Sequence, residues 1–257
     1  MTARLIAAII ARDEEAQLPG CLASIAWADE RLVVLDARTV DQSAEVARRH
    51  GASVVVRGFT TFPSQRNAVL DLLAGTSRAD WVLFVDADER TPPALASEIR
   101  MVVNRSGEDA PVGYWIPRRN YIWGGWVRHG GWSPDHQLRL LKPGSARYDE
   151  GVDVHEVVKL AGAAGTLVEP FLHYNYDRLD QFLRKQRQYA SLEARRLARQ
   201  GIRPRPHNFV LQPYREFRRR YLELDGKRDG WRGLALCSLL AWFTAVTYAD
   251  LARAPRE

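Results

Sequence analysis

The chain has 257 residues, 46% of them hydrophobic and 26% charged, a globular usage that excludes wholesale disorder and collagen-like repetition. The net charge of +6 is uneven: residues 178–232 hold 16 Lys/Arg against 6 Asp/Glu, a net +10 that leaves −4 for the remainder. The basicity therefore belongs to a C-terminal segment, and the rest of the chain does not work through a positive field. Two cysteines, Cys21 and Cys237, make neither a disulfide framework nor a zinc spacing, so a reducing, cytosolic setting is the default expectation.

In chain order, the apolar run at 4–11 is too short, and too soon followed by Arg12-Asp13-Glu14-Glu15, for a signal peptide; it reads as a buried first strand. Continuous β-rich runs at 5–10, 32–35, 53–56 and 81–85 suit parallel strands buried on both faces. Helix patterns between them are punctuated. Gly51 closes 43–50, Ser64 caps a helix ending at Gly75, and Thr91 caps a helix with Pro92 at its first position. This βαβαβαβα order predicts an open, doubly wound sheet, whose ligands bind beyond the carboxyl ends of the strands. From Tyr114 the chain becomes strand-like pieces broken by glycines, which predict a mixed sheet layered onto the first half. Asp177 is expected to cap a basic amphipathic helix that runs to Gly201. Pro204 and Pro206 then interrupt the chain before a second basic stretch and an uncharged run at 233–249, 17 residues long, just under the ~20 that span a bilayer.

The sharpest chemical feature is Trp81-Val82-Leu83-Phe84-Val85-Asp86-Ala87-Asp88-Glu89. An apolar strand running into Asp-x-Asp puts two carboxylates on one side of an extended chain at the ligand rim. Hard carboxylate oxygens there suit Mg²⁺ or Mn²⁺ bridging a diphosphate, while solvent-facing helix-capping acids are the plainer alternative. The motif follows a second strand ending in Leu35-Asp36-Ala37-Arg38-Thr39-Val40-Asp41 and a third helix containing Ser64-Gln65-Arg66-Asn67.

Together these pieces resemble the nucleotide-sugar half of bacterial family 2 glycosyltransferases with the GT-A fold, and above all the enzymes that add sugars to lipopolysaccharide core. The resemblance implies an α/β, doubly wound mixed sheet with a C-terminal helical extension. It also implies base recognition by Asp36, nucleotide contacts by Arg66 and Asp86, and metal ligation by Asp88. The family usually has Asp-Ser-Gly-Ser-Thr-Asp where this chain has Asp36 to Asp41, so the small glycine is replaced and Arg38 is gained. His129-Gly130-Gly131-Trp132-Ser133-Pro134-Asp135 resembles the family's glycine loop followed by a carboxylate. Glycines there permit close approach of an acceptor or sugar, and Asp135 is the expected general base, with Glu156 the alternative. His155 matches the place of a late metal-ligating histidine, a role that competes with a structural hydrogen bond; His173 has the same ambiguity. Trp123, Trp126 and Trp132, set among glycines, are expected to face an acceptor or donor sugar, and Trp115 to pack in a core.

The expected organisation is a catalytic domain at 1–176, divided into a nucleotide-sugar half at 1–105 and an acceptor half at 106–176, followed by a basic helical extension at 177–257. The reaction implied is inverting transfer from a nucleoside diphosphate sugar, UDP-hexose by family expectation, to a hydroxyl of a cell-envelope glycan or glycolipid. The basic run before the apolar stretch suits anionic headgroups at the cytoplasmic face of the inner membrane; a buried helix pair or a dimer interface is the alternative. A nucleic-acid binder lacks a recognisable motif here. A nucleotidyltransferase would need a glycine- and lysine-rich loop where this chain has Asp13-Glu14-Glu15.

Overall fold

A computed structural model describes residues 2–74, 79–105, 110–151 and 157–253. The chain forms two compact units, one of residues 1–118 and 136–173, the other of residues 119–135 and 174–257.

The first unit is built on β1 (Leu5–Ala11), β2 (Glu30–Asp36), β3 (Ser53–Arg57) and β4 (Trp81–Phe84), in the order β3-β2-β1-β4 and all parallel. The run at β1 is continuously apolar because both of its faces are covered. Leu5, Ala7, Ile9 and Ala11 join one core cluster, and Ile6 and Ala8 join another. The first cluster is closed by α1 (Leu18–Ser24), α2 (Ser43–Arg49) and α4 (Pro93–Val103), through Leu22, Val46, Leu95 and Ile99. The second is closed by α3 (Phe62–Leu73), through Val69, Leu70 and Leu73. Such two-sided burial is what parallel sheets require.

The strand at 53–56 is not buried on both faces: β3 is the sheet edge, with Val56 exposed. The cap of α3 is Thr61, whose hydroxyl accepts from Ser64 N at 3.2 Å, while Gly75 lies outside the described residues. The α4 helix starts one residue later than expected, with Pro92 at the cap position and Pro93 inside the first turn. The later strands do not form a second layer. β8 (His136–Leu141) pairs antiparallel with β4, and β6 (Gly113–Ile122) pairs antiparallel with β8 through residues 113–117. They extend the same sheet, which satisfies the backbone groups that β4 would otherwise expose at an edge. The short strand β5 (Glu89–Arg90), directly after the Asp-x-Asp turn, pairs with β12 (Phe171–Tyr176) and sets His173 opposite Glu89.

In the second unit, the end of β6 forms a hairpin with β7 (Gly125–Val127). Three helices follow: α5 (Leu179–Arg199), α6 (Asn208–Arg218) and α7 (Gly230–Arg253), with a π-helical turn at Arg219–Glu223 and a 3₁₀ turn at Gly226–Asp229. Arg178 rather than Asp177 is the cap residue of α5, and the Gln181 side chain accepts from the backbone N–H groups of both. Ile122, Val127, Tyr176, Phe182 and Leu236 form this unit's core.

Candidate functional site

In the first unit, β2 and β4 flank β1, so Asp36 and the Asp86–Asp88 turn leave the sheet at the carboxyl ends of neighbouring parallel strands. Two arginines converge on Asp86. Arg66 Nη2 donates to Oδ1 at 3.1 Å, and Arg139 Nη2 donates to Oδ2 at 2.9 Å. Both arginines are buried, and Arg66 is additionally stacked 5.6 Å from the Phe84 ring centroid and 5.3 Å from that of Tyr148. A guanidinium this enclosed needs its charge balanced, and Asp86, a third open to solvent, does so while leaving the pair of cations at the rim. Arg66 can point into the site because its neighbour faces elsewhere. Asn67 exchanges hydrogen bonds with the backbone of Tyr148, 2.8 and 3.0 Å, and donates to Glu150 at 2.7 Å, fixing α3 to the strand β9 (Ala146–Tyr148).

Asp88 Oδ2 lies 3.3 Å from His173 Nε2, and His173 is buried. The β5–β12 pairing is what brings this histidine to the acidic turn. His155 and Glu156 lie outside the described residues. A carboxylate oxygen beside an imidazole nitrogen is a donor set that Mg²⁺ or Mn²⁺ accepts. Among the described residues no group of three or more His, Cys, Asp or Glu gathers about one point. Such a pair therefore fits an ion that takes its remaining ligands from diphosphate and water, the usual habit of Mg²⁺.

Glu89 and Arg139 received no role from sequence reasoning. Glu89 is fully buried and ties the turn together: its Oε2 accepts from Asp86 N at 2.9 Å, its own N–H donates to Asp86 O at 2.9 Å, and Arg118 reaches its Oε1 at 3.4 Å. Burial, helped by the charge on Asp86, pushes the Glu89 carboxyl up, against the lowering from Arg118. The signal for Arg139 was a charged residue inside the otherwise apolar run Leu138 to Leu141. Asp36 meets Arg38 instead of open space, and the Arg38 fork draws its carboxyl down to about 2. Cys21 and Cys237 are free and buried, and burial raises both thiols.

The remaining sequence candidates lie in the second unit. Asp135 accepts from Asn120 Nδ2 at 3.0 Å, and the same amide donates to Trp132 O at 2.9 Å. Asn120 is buried on β6 and so orients the carboxylate from a rigid strand. The glycine loop is used differently from expectation. Gly130 and Gly131 have φ of 67° and 86°, and their close approach is to the chain itself: Gly130 N donates to Leu224 O and Gly130 O accepts from Arg220 Nη1, both at 2.8 Å. Trp123 stacks on Trp231 with centroids 5.9 Å apart and meets Phe182 edge-on, while Trp132 packs against Tyr176. Those two rings serve the unit's core. Trp126 differs, with the Arg128 and Arg119 guanidinium carbons 3.8 and 4.7 Å from its centroid. Trp115, expected in a core, is 40% exposed.

A parallel αβ sheet extended by antiparallel strands, with arginines and an Asp-x-Asp turn at its carboxyl rim, defines a GT-A-type glycosyltransferase domain. The chain belongs to glycosyl transferase family 2, whose model matches residues 7–171. It is 28% identical to the lipopolysaccharide core biosynthesis glycosyltransferase LpsC of Rhizobium meliloti, over 97% of this chain and 90% of that one. It is 24% identical to an uncharacterised glycosyltransferase of Rickettsia bellii, over 79% of this chain and 71% of the relative. Among solved structures, S. aureus TarS residues 1–349 align with a TM-score of 0.47 at 13% identity, covering 97% of this chain and 89% of that one.

Proposed function

We propose that the enzyme transfers a hexose from a UDP-sugar, with inversion, to a hydroxyl of an anionic cell-envelope glycolipid of the lipopolysaccharide-core type. The observation that carries the donor half is the pair of buried arginines on Asp86 beside the Asp88–His173 pair. In this reading Asp36 addresses the base. Arg66, Arg139 and Asp86 orient the nucleotide and its phosphates, with the guanidiniums offsetting charge on the leaving nucleoside diphosphate. Asp88 and His173 would hold a divalent ion, which supplies further offset of that charge when bound. His155, where the resemblance implies a metal-ligating histidine, lies outside the described residues, and His173 is the imidazole proposed here. Asp135, oriented by Asn120, takes the proton of the acceptor hydroxyl as it attacks the anomeric carbon, and a single displacement inverts the configuration. The name of the relative LpsC supports the acceptor class, as does the cationic setting of Trp126 between Arg119 and Arg128, which suits an acidic sugar or phosphate.

The second unit supports attachment to a membrane surface at the cytoplasmic face. α7 belongs to a stretch, Gly226–Arg253, that is long and apolar enough to span, yet most of its apolar window lies outside the core. Trp231, Leu234 and Trp242 are 60%, 48% and 63% exposed, and their spacing, completed by Ser238, puts them on one helical face. Arg215, Arg218 and Arg219 are exposed on the preceding segment. A tryptophan-bearing apolar stripe with arginines nearby suits a helix lying in an anionic interface.

The test is a donor screen: purified protein, Mg²⁺ or Mn²⁺, and a panel of nucleotide sugars, scored by nucleoside diphosphate release. UDP-hexose turnover that disappears in Asp88→Ala is the expected result. Full activity of Asp88→Ala would remove the metal assignment, and turnover of no nucleotide sugar would remove the reading itself.

A further inference from the structure

Asp36 ends β2 with its side chain only 3% exposed, although the arginine covering it, Arg38, is 57% exposed. Oδ1 accepts from Arg38 N and Nε at 3.0 and 3.1 Å, and Oδ2 accepts from Nε and Nη2 at 3.0 and 2.6 Å. The guanidinium carbon sits 5.8 Å from the Phe59 ring centroid, and Phe59 meets Phe62 edge-on at 5.0 Å. One residue on, the Thr39 hydroxyl is buried with no hydrogen-bond partner among the described residues, the kind of group that a ligand satisfies. A planar set of N–H donors therefore occupies, beside an aromatic ring, the position from which a planar base bearing an N–H would address Asp36.

Resting on the base role of Asp36 given above, we infer that Arg38 is a built-in competitor of the nucleobase, a side-chain plug that must swing out before the uracil N3–H can reach Asp36. Arg38 thereby tunes how tightly the base of the nucleotide is held. The uracil N3–H returns to Asp36 one of the hydrogen bonds that the plug gives up, and the rest of the cost lowers the apparent affinity for the nucleotide.

Two features make the plug removable. Its arm is long and more than half exposed, so it can swing into solvent without any movement of the backbone. Its acceptor stays in place, because Asp36 closes a strand paired on both sides, to β1 and to β3. Asp36 also remains a carboxylate, and so an acceptor only, throughout the working pH range. A plug closed nine times in ten raises the apparent Kd of a uridine nucleotide about tenfold.

The experiment is calorimetric titration of the protein and its Arg38→Ser variant with UDP and, separately, inorganic pyrophosphate, each in Mg²⁺. Arg38→Ser is expected to bind UDP about tenfold more tightly with pyrophosphate affinity unchanged, and adding Asp36→Asn should abolish the gain. Arg38→Lys, which keeps the charge but loses the fork, should show part of the effect and carries the test if the serine variant is poorly folded by thermal denaturation. Unchanged or weaker UDP binding in Arg38→Ser overturns the inference, as does equal tightening of both ligands. If neither protein binds UDP or pyrophosphate, the nucleotide-sugar reading fails and this inference fails with it; UDP binding without an Arg38 effect removes this inference alone.

Discussion

Asp135 and Asn120 show how one side chain can be made useful by another. A carboxylate acting as base must be held still, and Asn120 donates to Oδ2 from a buried place on β6. General-base catalysis contributes about 10²–10⁴-fold, so Asp135→Asn should lower kcat by that order with donor KM little changed. Asn120→Ala should lower kcat by a smaller factor, and Asn120→Asp should lose more by placing a second carboxylate against the first. Steady-state kinetics with saturating donor separates these outcomes, and near-normal turnover of Asp135→Asn together with its loss in Glu156→Gln would transfer the base role to Glu156. Asp36 gives a residue-scale prediction in pH. Its folded pKa is depressed by the Arg38 fork to about 2, so the stabilisation is present above the ordinary carboxylate value and is lost only as pH falls through about 2. Arg38→Ser should raise the Asp36 midpoint toward the ordinary ~3.9, readable by carboxyl-carbon NMR. The places of Asp36, Asp86 and Asp88 are legible because a strand end is a local pattern, and that of Arg66 because it follows a helix cap; the roles of all four are what the family resemblance implies. His173 was visible as a candidate but not its place at the turn, and Arg139 had no role, since both reach the turn only through the pairing of β5 with β12 and of β4 with β8.

At the scale of elements, α7 is a helix whose position depends on two glycines. A β-carbon at Gly233 would overlap the Gly226 carbonyl oxygen, and one at Gly226 would press on the Arg220 carbonyl and the Cys237 sulfur. The helix therefore lies directly against the 3₁₀ turn, and neither contact ends on a flexible side-chain tip. Overpacking of this kind costs about 1–3 kcal/mol and more where backbone must move. Gly233→Ala should accordingly destabilise the protein by at least that amount in urea denaturation, although alanine is the better helix former. Asp229 has a related part, accepting from Arg128 N and His129 N and so fixing the start of the glycine loop to the same turn. Buried strands were legible from their continuous apolar runs because sheets covered on both faces leave no polar side. Helix starts were misplaced by one to three residues, since Thr61, Ser64, Thr91 and Pro92 all carry capping chemistry and only the final backbone path selects among them. The glycine loop was legible as a site of close approach but not for what approaches: a backbone segment 90 residues later has no local signature.

For the molecule as a whole, the net charge of +6 conceals two opposite designs. The larger part of the chain is net acidic, and at the rim of its sheet two buried arginines, Arg66 and Arg139, are held by Asp86. The segment at 178–232 is net +10 and precedes a helix with its tryptophans exposed. If that arrangement serves a membrane surface, two contributions should be separable. Each basic residue near an anionic leaflet contributes about 1 kcal/mol, and this falls off within a Debye length of about 10 Å at 0.1 M salt. Inserting a tryptophan or leucine contributes up to about 1.5–3 kcal/mol when burial is complete and does not depend on salt in that way. Cosedimentation with phosphatidylglycerol-containing vesicles should therefore weaken as salt rises but retain a salt-resistant remainder. Trp231→Ser with Trp242→Ser should remove the remainder and keep the salt-sensitive part. Arg215, Arg218 and Arg219 changed together to Gln should do the reverse. Binding that is equally strong to neutral vesicles, or unchanged in the double tryptophan variant, would instead assign the stripe to contact between protein chains.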